Sequence, residues 1–213
     1  MDCWPIAVLA SGRGSNLQAL HQASMHAGLP IQIVGVFSDK SESGAIEYAR
    51  QNHLHAQAIS PKDYATREHY DLALMQALAA VKPKLIVCAG YMRIISEQGI
   101  AHAPCPMINI HPSLLPRYPG LNTHARALAD GQFQHGASVH LVNNILDGGC
   151  VLSQARVPIL TSDDTLSLTN RVLSREHPLL IETVRAICIG RLSLQSIQPA
   201  RVLCLQDDNK TLD

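Results

Sequence analysis

Short, wholly apolar runs that close on turn-forming residues and open into helical stretches recur through the first two-thirds of the chain. This alternation constrains the fold more than any other feature. Pro5 to Ala10 ends at Ser11-Gly12-Arg13-Gly14-Ser15-Asn16 and leads into a helical stretch, Leu17 to Ala27, that stops at Gly28. Ile31 to Phe37 closes on Ser38-Asp39-Lys40-Ser41, and a helix from about Gly44 to Gln51 then leads to a weaker strand near Ala56 to Ile59. Asp63 is placed to cap a longer helix whose apolar stripe runs through Tyr70, Leu74, Ala77, Leu78 and Val81, with Pro83 ending it. Leu85 to Ala89 and Met107 to Ile110 are two further short strands. Strands apolar at every position belong inside a parallel sheet covered on both faces. Repeated strand–helix units with right-handed crossovers give a doubly wound, mostly parallel, Rossmann-like α/β sheet with helices on both faces.

After Ile110 the rhythm changes. A loop rich in Pro, Gly and His, His111 to Thr123, precedes a short helix, His124 to Ala129. Two strand-like segments, Ala137 to Val142 and Val151 to Val157, are joined around Asp147-Gly148-Gly149, and one antiparallel strand is expected in this later part. Thr161-Ser162-Asp163-Asp164 starts a long helix, Thr165 to Ile189, which Pro178 is expected to interrupt. With no internal repeat and no linker, residues 1–213 read as one domain, its core at about 6–190 and a polar, weakly patterned tail after about 195.

Composition narrows the function. The 213 residues are 46% hydrophobic, enough for a substantial core and too apolar for a disordered chain. Lys+Arg and Asp+Glu both number 17, so no net positive field is present to grip a nucleic-acid backbone. No apolar run approaches the ~20 residues of a membrane span, and Met1-Asp2-Cys3-Trp4-Pro5 has neither the basic cluster nor the apolar stretch of a secretory signal. The six cysteines are scattered without a C-x-x-C pair, and the 11 histidines contain no H-E-x-x-H, so a metal centre has little support. A cytoplasmic protein acting on small molecules, without nucleic-acid or membrane partners, is expected.

In open α/β sheets ligands sit beyond the carboxyl ends of the strands, near the point where strand order reverses. After the first strand, Gly14, Ser15 and Asn16 open a helix. They suit a cradle for one phosphate, although a plain strand-to-helix turn has the same spacing. The dinucleotide fingerprint fails because Leu17 stands where a third glycine belongs, while Asp39 after the second strand imitates a ribose-binding acid; a nicotinamide-dependent oxidoreductase is thereby weakened. Arg93, among apolar neighbours after the fourth strand, suits an anion beside a flat ring, or simply covers those neighbours with its stem. The densest signal follows the fifth strand, at Asn109-Ile110-His111-Pro112-Ser113-Leu114-Leu115-Pro116. Asn109 and His111 share a strand face, and a carboxamide beside an imidazole can bind a developing oxyanion and move its protons. Asp147 is the carboxylate available to orient that imidazole and raise its pKa, unless it serves only an Asp-Gly turn.

Gly12-x-Gly14-Ser15-Asn16-Leu17, Gly90-x-Met92-Arg93-Ile94, the Asn109–Pro116 block and Leu146-Asp147-Gly148-Gly149 occur in this order. Together they resemble the folate-dependent formyltransferases from about residue 6 to about residue 190. Tyr118-Pro119-Gly120 and Arg175-Glu176-His177 point to the glycinamide-ribonucleotide branch. The resemblance implies the formyltransferase fold and transfer of a formyl group from 10-formyltetrahydrofolate, as co-substrate and without a metal, to the amine of 5'-phosphoribosylglycinamide. It implies catalytic roles for Asn109, His111 and Asp147. Gly14, Ser15, Asn16, Leu17 and Gln18 would hold the substrate phosphate, with Glu176 near its ribose. Met92, Arg93, Ile94 and Ile95 would form the pterin-side wall and Asn143, Asn144, Ile145, Leu146 and Asp147 the loop over the folate, while Arg67 and Arg93 would meet the carboxylates of its tail. His140 matches a histidine near the site with no assigned role. Hydrolysis of the formyl folate and formylation of an amino sugar on a nucleotide are the alternatives, and either a monomer or a homodimer is compatible.

Overall fold

The computed structural model describes residues 3–194, 202–207 and 209–213. They fall into two compact units, Met1–Asn109 with Val142–Asn144, and Ile110–Leu141 with Ile145–Asp213. In the first unit the alternation becomes strands β1 (Trp4–Leu9), β2 (Ile31–Ser38), β3 (Ala56–Ala58) and β4 (Leu85–Cys88), with the start of β5 (Met107–His111). Helices α1 (Ser15–His26), α2 (Gly44–Gln51), α3 (Arg67–Ala80) and α4 (Glu97–Ala101) lie between them. Every strand pairing in this unit is parallel: β2 with β3, β1 with both β2 and β4, and β4 with β5. The order is therefore β3-β2-β1-β4-β5, reversing between β1 and β4. Ile6 to Leu9 and Leu85 to Val87 are wholly buried, which is why these strands carry no polar alternation. α3 packs Tyr70, Leu74, Met75 and Leu78 into a cluster with Leu9, Phe37, Ile86 and Met107.

Two local expectations for this unit are corrected. Asp63 does not cap the long helix. It ends a separate single turn, Pro61–Asp63, because Pro61 starts that turn and Tyr64 is extended. The cap of α3 is Thr66, whose side chain accepts from the His69 N–H. α4 escaped the periodicity because five residues are too few to show one; Ser96 caps it by accepting from the Gly99 N–H.

The second unit holds the end of β5, α5 (Thr123–Ala129), β6 (Gln134–Leu141), β7 (Val151–Pro158), α6 (Thr165–Cys188) and β8 (Leu203–Cys204). β6 and β7 form the antiparallel pair expected in the later part of the chain, with a register shift at Val139/His140; β8 runs parallel to β7. α6 starts at a reciprocal cap in which Asp164 accepts from the Ser167 N–H and Ser167 from the Asp164 N–H. Pro178 does not interrupt this helix. It removes one internal N–H, but the stripe of Leu168, Val172, Leu179, Leu180, Val184 and Ile187 is buried on both sides of it and keeps both halves helical. The tail is more ordered than its polarity implies. The Arg175 guanidinium donates to the carbonyls of Leu205 (3.0 Å) and Gln206 (2.9 Å), and Leu205 bridges to Leu212. Residues 195–201 of that tail lie outside the described residues. Among the described residues no helix is long and apolar enough to cross a membrane.

Candidate active site

Strand alternation places Asn109 and His111 as alternate residues of β5, the first half-buried and the second buried. Beyond His111 the chain is strapped down by hydroxyls. Ser113 Oγ donates to the Arg117 carbonyl (2.6 Å). Ser138 Oγ on β6 donates to the Ser113 carbonyl (2.6 Å) and accepts from the Leu115 N–H (3.0 Å). Gln154 on β7 adds a donor to the Leu115 carbonyl at 2.9 Å. The loop so held brings the Tyr118 carbonyl to 2.9 Å from His111 Nε2 and sends the Gly120 N–H to Asp147 Oδ2 at 2.8 Å. Tyr118 (φ 56°) and Asp147 (φ 51°) both have left-handed backbone, a conformation that costs a non-glycine residue energy and recurs where side chains must be aimed.

Asp147 lies between two rings. Its Oδ2 is 3.4 Å from His111 Nδ1 and its Oδ1 is 3.5 Å from His140 Nε2. Burial alone would raise its pKa. The His140 ring, the Gly120 N–H and the nearby His111 outweigh burial and hold the carboxyl below its usual range. His111 faces acceptors on both sides, the Tyr118 carbonyl and the Asp147 carboxylate, and satisfies both at once only as an imidazolium. Burial opposes that charge and wins, so His111 titrates below an ordinary histidine despite the upward pull of its two partners. The upward pull expected of Asp147 is present, but exclusion of water costs the cation more than that carboxylate, 3.4 Å away, and the Tyr118 carbonyl return.

Beside this group, the buried His135 Nε2 lies 3.1 Å from His124 Nδ1, and the Tyr118 ring meets His135 edge-on. Burial first, then the neighbouring histidines, push His135 down to about 4. Its pKa in the unfolded chain is about 6.5, so below that pH the unfolded state binds the extra proton. Stability is then full above about pH 6.5 and falls as the pH drops toward 4. His135→Asn is expected to flatten the fall in melting temperature over that window, measured by thermal denaturation across pH.

The first unit places its predicted residues at the strand-order reversal. The Ser11 N–H donates to the Gly90 carbonyl (3.0 Å), and Ser11 Oγ accepts from the Met92 N–H (2.9 Å), so the loops after β1 and β4 are tied together. Gly14 caps α1 with φ 78°, and a Cβ there would lie 2.8 Å from Ala45 Cα, so only glycine fits. α1 has no side-chain cap and no acid in its first turn, which leaves its N-terminal field open to an anion. Ser15 and Gln18 are half-buried and Asn16 is buried; Leu17 is a core residue that offers a ligand only its backbone. Met92 and Ile94 are exposed, Arg93 lies 5.2 Å from the Tyr70 ring centre, and Ile95 packs into the apolar cluster beneath. Arg67 opens α3, and Asn143 and Asn144 are exposed. In the second unit Ile145 and Leu146 are exposed beside Asp147, and Glu176 is half-buried on α6. The contacts of Asp147 with His140 and the Gly120 N–H, and of His111 with the Tyr118 carbonyl, carry no sequence signal beyond the alternation of Ser138 with His140 on β6.

A model of the formyl transferase family matches residues 5–184. Phosphoribosylglycinamide formyltransferase of Escherichia coli is 40% identical over 189 residues, 89% of each chain. The trifunctional purine biosynthetic protein adenosine-3 of Drosophila melanogaster is 42% identical over 174 residues, which are 81% of this chain and 13% of that much longer protein. The solved structure of a phosphoribosylglycinamide formyltransferase from Coxiella burnetii superposes with a TM-score of 0.86 at 39% identity, covering 91% of both chains.

Proposed function

The chain belongs to the formyl transferase family, and on that premise we propose that it transfers the formyl group of 10-formyltetrahydrofolate to the amine of 5'-phosphoribosylglycinamide, a step of de novo purine biosynthesis in the cytoplasm. One observation carries the chemistry: Asp147 sits between His111 and His140, with Asn109 two residues before His111 on the same strand. An α-amino group has a pKa of about 7.7–8.0, so a useful fraction of the attacking amine is neutral without a strong base. The demand falls on the formyl oxygen as it gains negative charge and on the proton that must leave the amine. The Asn109 carboxamide donates to that oxygen. His111 is neutral at rest because it is buried; its Nε2 donates to the Tyr118 carbonyl, its bare Nδ1 faces Asp147, and the Asp147 carboxylate passes the amine proton to it. The resulting imidazolium is the form that satisfies both the Tyr118 carbonyl and Asp147, so these partners stabilise the charge only once it has appeared. The new C–N bond forms, the bond to N10 of the folate breaks, and the proton held by His111 ends on N10.

The binding roles follow the local chemistry. Gly14, Ser15 and Asn16, continued by Leu17 and Gln18, hold the phosphate at the start of α1. Glu176 accepts from ribose hydroxyls. Met92 and Ile94, backed by the core residue Ile95, suit the apolar face of a pterin, as do Ile145 and Leu146; Asn143 and Asn144 supply polar contacts. Arg67 and Arg93 meet the tail carboxylates. Incubation with 10-formyltetrahydrofolate, with and without the ribonucleotide, tests this. Loss of the donor that depends on the amine is expected. Loss at the same rate without the amine would make the chain a hydrolase. Affinity is expected to fall at least tenfold for the dephosphorylated ribonucleoside, and equal binding would remove Gly14, Ser15 and Asn16 from the phosphate role.

A further inference from the structure

α3 carries Arg67, Tyr70 and Asp71 within about one turn; Tyr70 and Asp71 act on the segment that follows β4, and Asp71 also faces Arg67. Asp71 is buried; its Oδ2 accepts from the Ser96 N–H at 2.7 Å and lies 3.7 Å from Arg67 Nε, the inner nitrogen of the guanidinium. The Asp71 side chain has no slack, because a Cβ on Gly99 of α4 would come within 2.8 Å of its own Cβ. Tyr70 is also buried. Its hydroxyl is 2.5 Å from that of Tyr91, and the Arg93 guanidinium lies over its ring. Two adjacent residues of one helix thus hold both arginines and pin the loop between them, at Tyr91 and at Ser96. A buried carboxylate is costly to keep unless it is paired, and this one is spent on an arginine that is nearly half exposed.

We infer that Asp71 and Tyr70 are positioning residues that aim Arg67 and Arg93 as a pair, and so set the preference for a formyl donor bearing tail carboxylates. This rests on the tail-binding roles proposed above. Long arginine side chains lose rotamer freedom when they grip a ligand. Fixing Arg67 through Nε, and Arg93 over an aromatic face, removes part of that loss before the donor arrives.

The test compares steady-state kinetics on 10-formyltetrahydrofolate and on a donor whose glutamyl carboxylates are capped as amides. Asp71→Asn keeps an acceptor for Ser96 and deletes the charge facing Arg67. It is expected to raise KM for the intact donor about tenfold, the loss of one charge-assisted contact. KM for the capped donor and kcat on both donors are expected to stay within about twofold. A variant that keeps the wild-type preference, or loses equally on both donors, overturns the inference. Tyr70→Phe breaks the contact with Tyr91 while keeping the ring under Arg93, and is expected to narrow the preference about threefold; an unchanged preference there removes Tyr70. Should Asp71→Asn fail to fold, Asp71→Ser, which deletes the charge with a smaller side chain, is read by the same criteria for Asp71, and Tyr70→Phe for Tyr70. If the wild type itself does not distinguish the two donors, the tail roles of Arg67 and Arg93 fail, and that outcome is separate from a failure of the positioning role.

Discussion

His111→Ala is expected to lower kcat by about 10²–10⁴-fold while KM for both substrates changes only a few-fold. The asymmetry follows from the resting state. His111 is buried and held below the ordinary imidazole pKa, so it contributes little charge to ground-state binding and most when it takes up a proton. Asp147→Asn leaves the turn geometry within reach and removes the charge that stabilises the imidazolium, so a smaller loss, about 10²-fold, is expected. The pH profile separates the two effects. In the wild type a second acidic limb of kcat/KM, beyond the one set by the amine's own pKa of about 7.7–8.0, is expected below pH 6.5, where His111 becomes protonated before the amine arrives. Asp147→Asn should move that limb further down, since a neighbour favouring the charged ring is gone. Near-normal turnover of His111→Ala would end the catalytic assignment.

Gly149→Ala is expected to damage stability and activity together. A Cβ at this position would lie 1.7 Å from the Leu141 carbonyl oxygen and 3.5 Å from His140 Nδ1. The first is backbone and cannot turn aside, so β6 and the turn after Asp147 must separate where the Leu141 N–H donates to the Cys150 carbonyl at 2.9 Å. Forcing an atom into such a site costs about 1–3 kcal/mol or more, about 2–4 °C in melting temperature for each kcal/mol in a chain of this size. The same displacement carries His140 away from Asp147, so kcat should fall even at temperatures where the variant is fully folded. A variant with wild-type melting temperature and turnover would mean that the turn is plastic and that its contact with β6 does not hold the site.

Several features here were open to inspection before any coordinates existed. The helix Gly44–Gln51 has the limits its sequence implies, and β1, β2, β4 and β7 lie within one residue of the apolar runs that announce them. Asn109 and His111 were recognisable because two residues on one strand share a face whatever the rest of the chain does. Gly14 was recognisable as a turn residue opening a helix, although the close approach of Ala45 that makes a side chain impossible there was not. Thr66 in place of Asp63 as the cap of α3, and the unbroken course of α6 through Pro178, turned on packing that outweighed local rules. The Tyr118 carbonyl and the Gly120 N–H were invisible for a simpler reason: every residue has such groups, and only the path of the loop selects which ones reach a side chain.

Periodicity, turn chemistry and residue type act over a few neighbours, so the parallel α/β architecture, the glycine turn that opens α1 and the identities of the carboxamide, imidazole and carboxylate could be read from the order of amino acids. The proton affinity of His111 could not. It is the balance between exclusion of water by the packed chain and two acceptors at 2.9 and 3.4 Å, one of them 36 positions away along the chain (147 minus 111). Electrostatic energies depend on distance and on solvent, and both come into being only when the chain has folded.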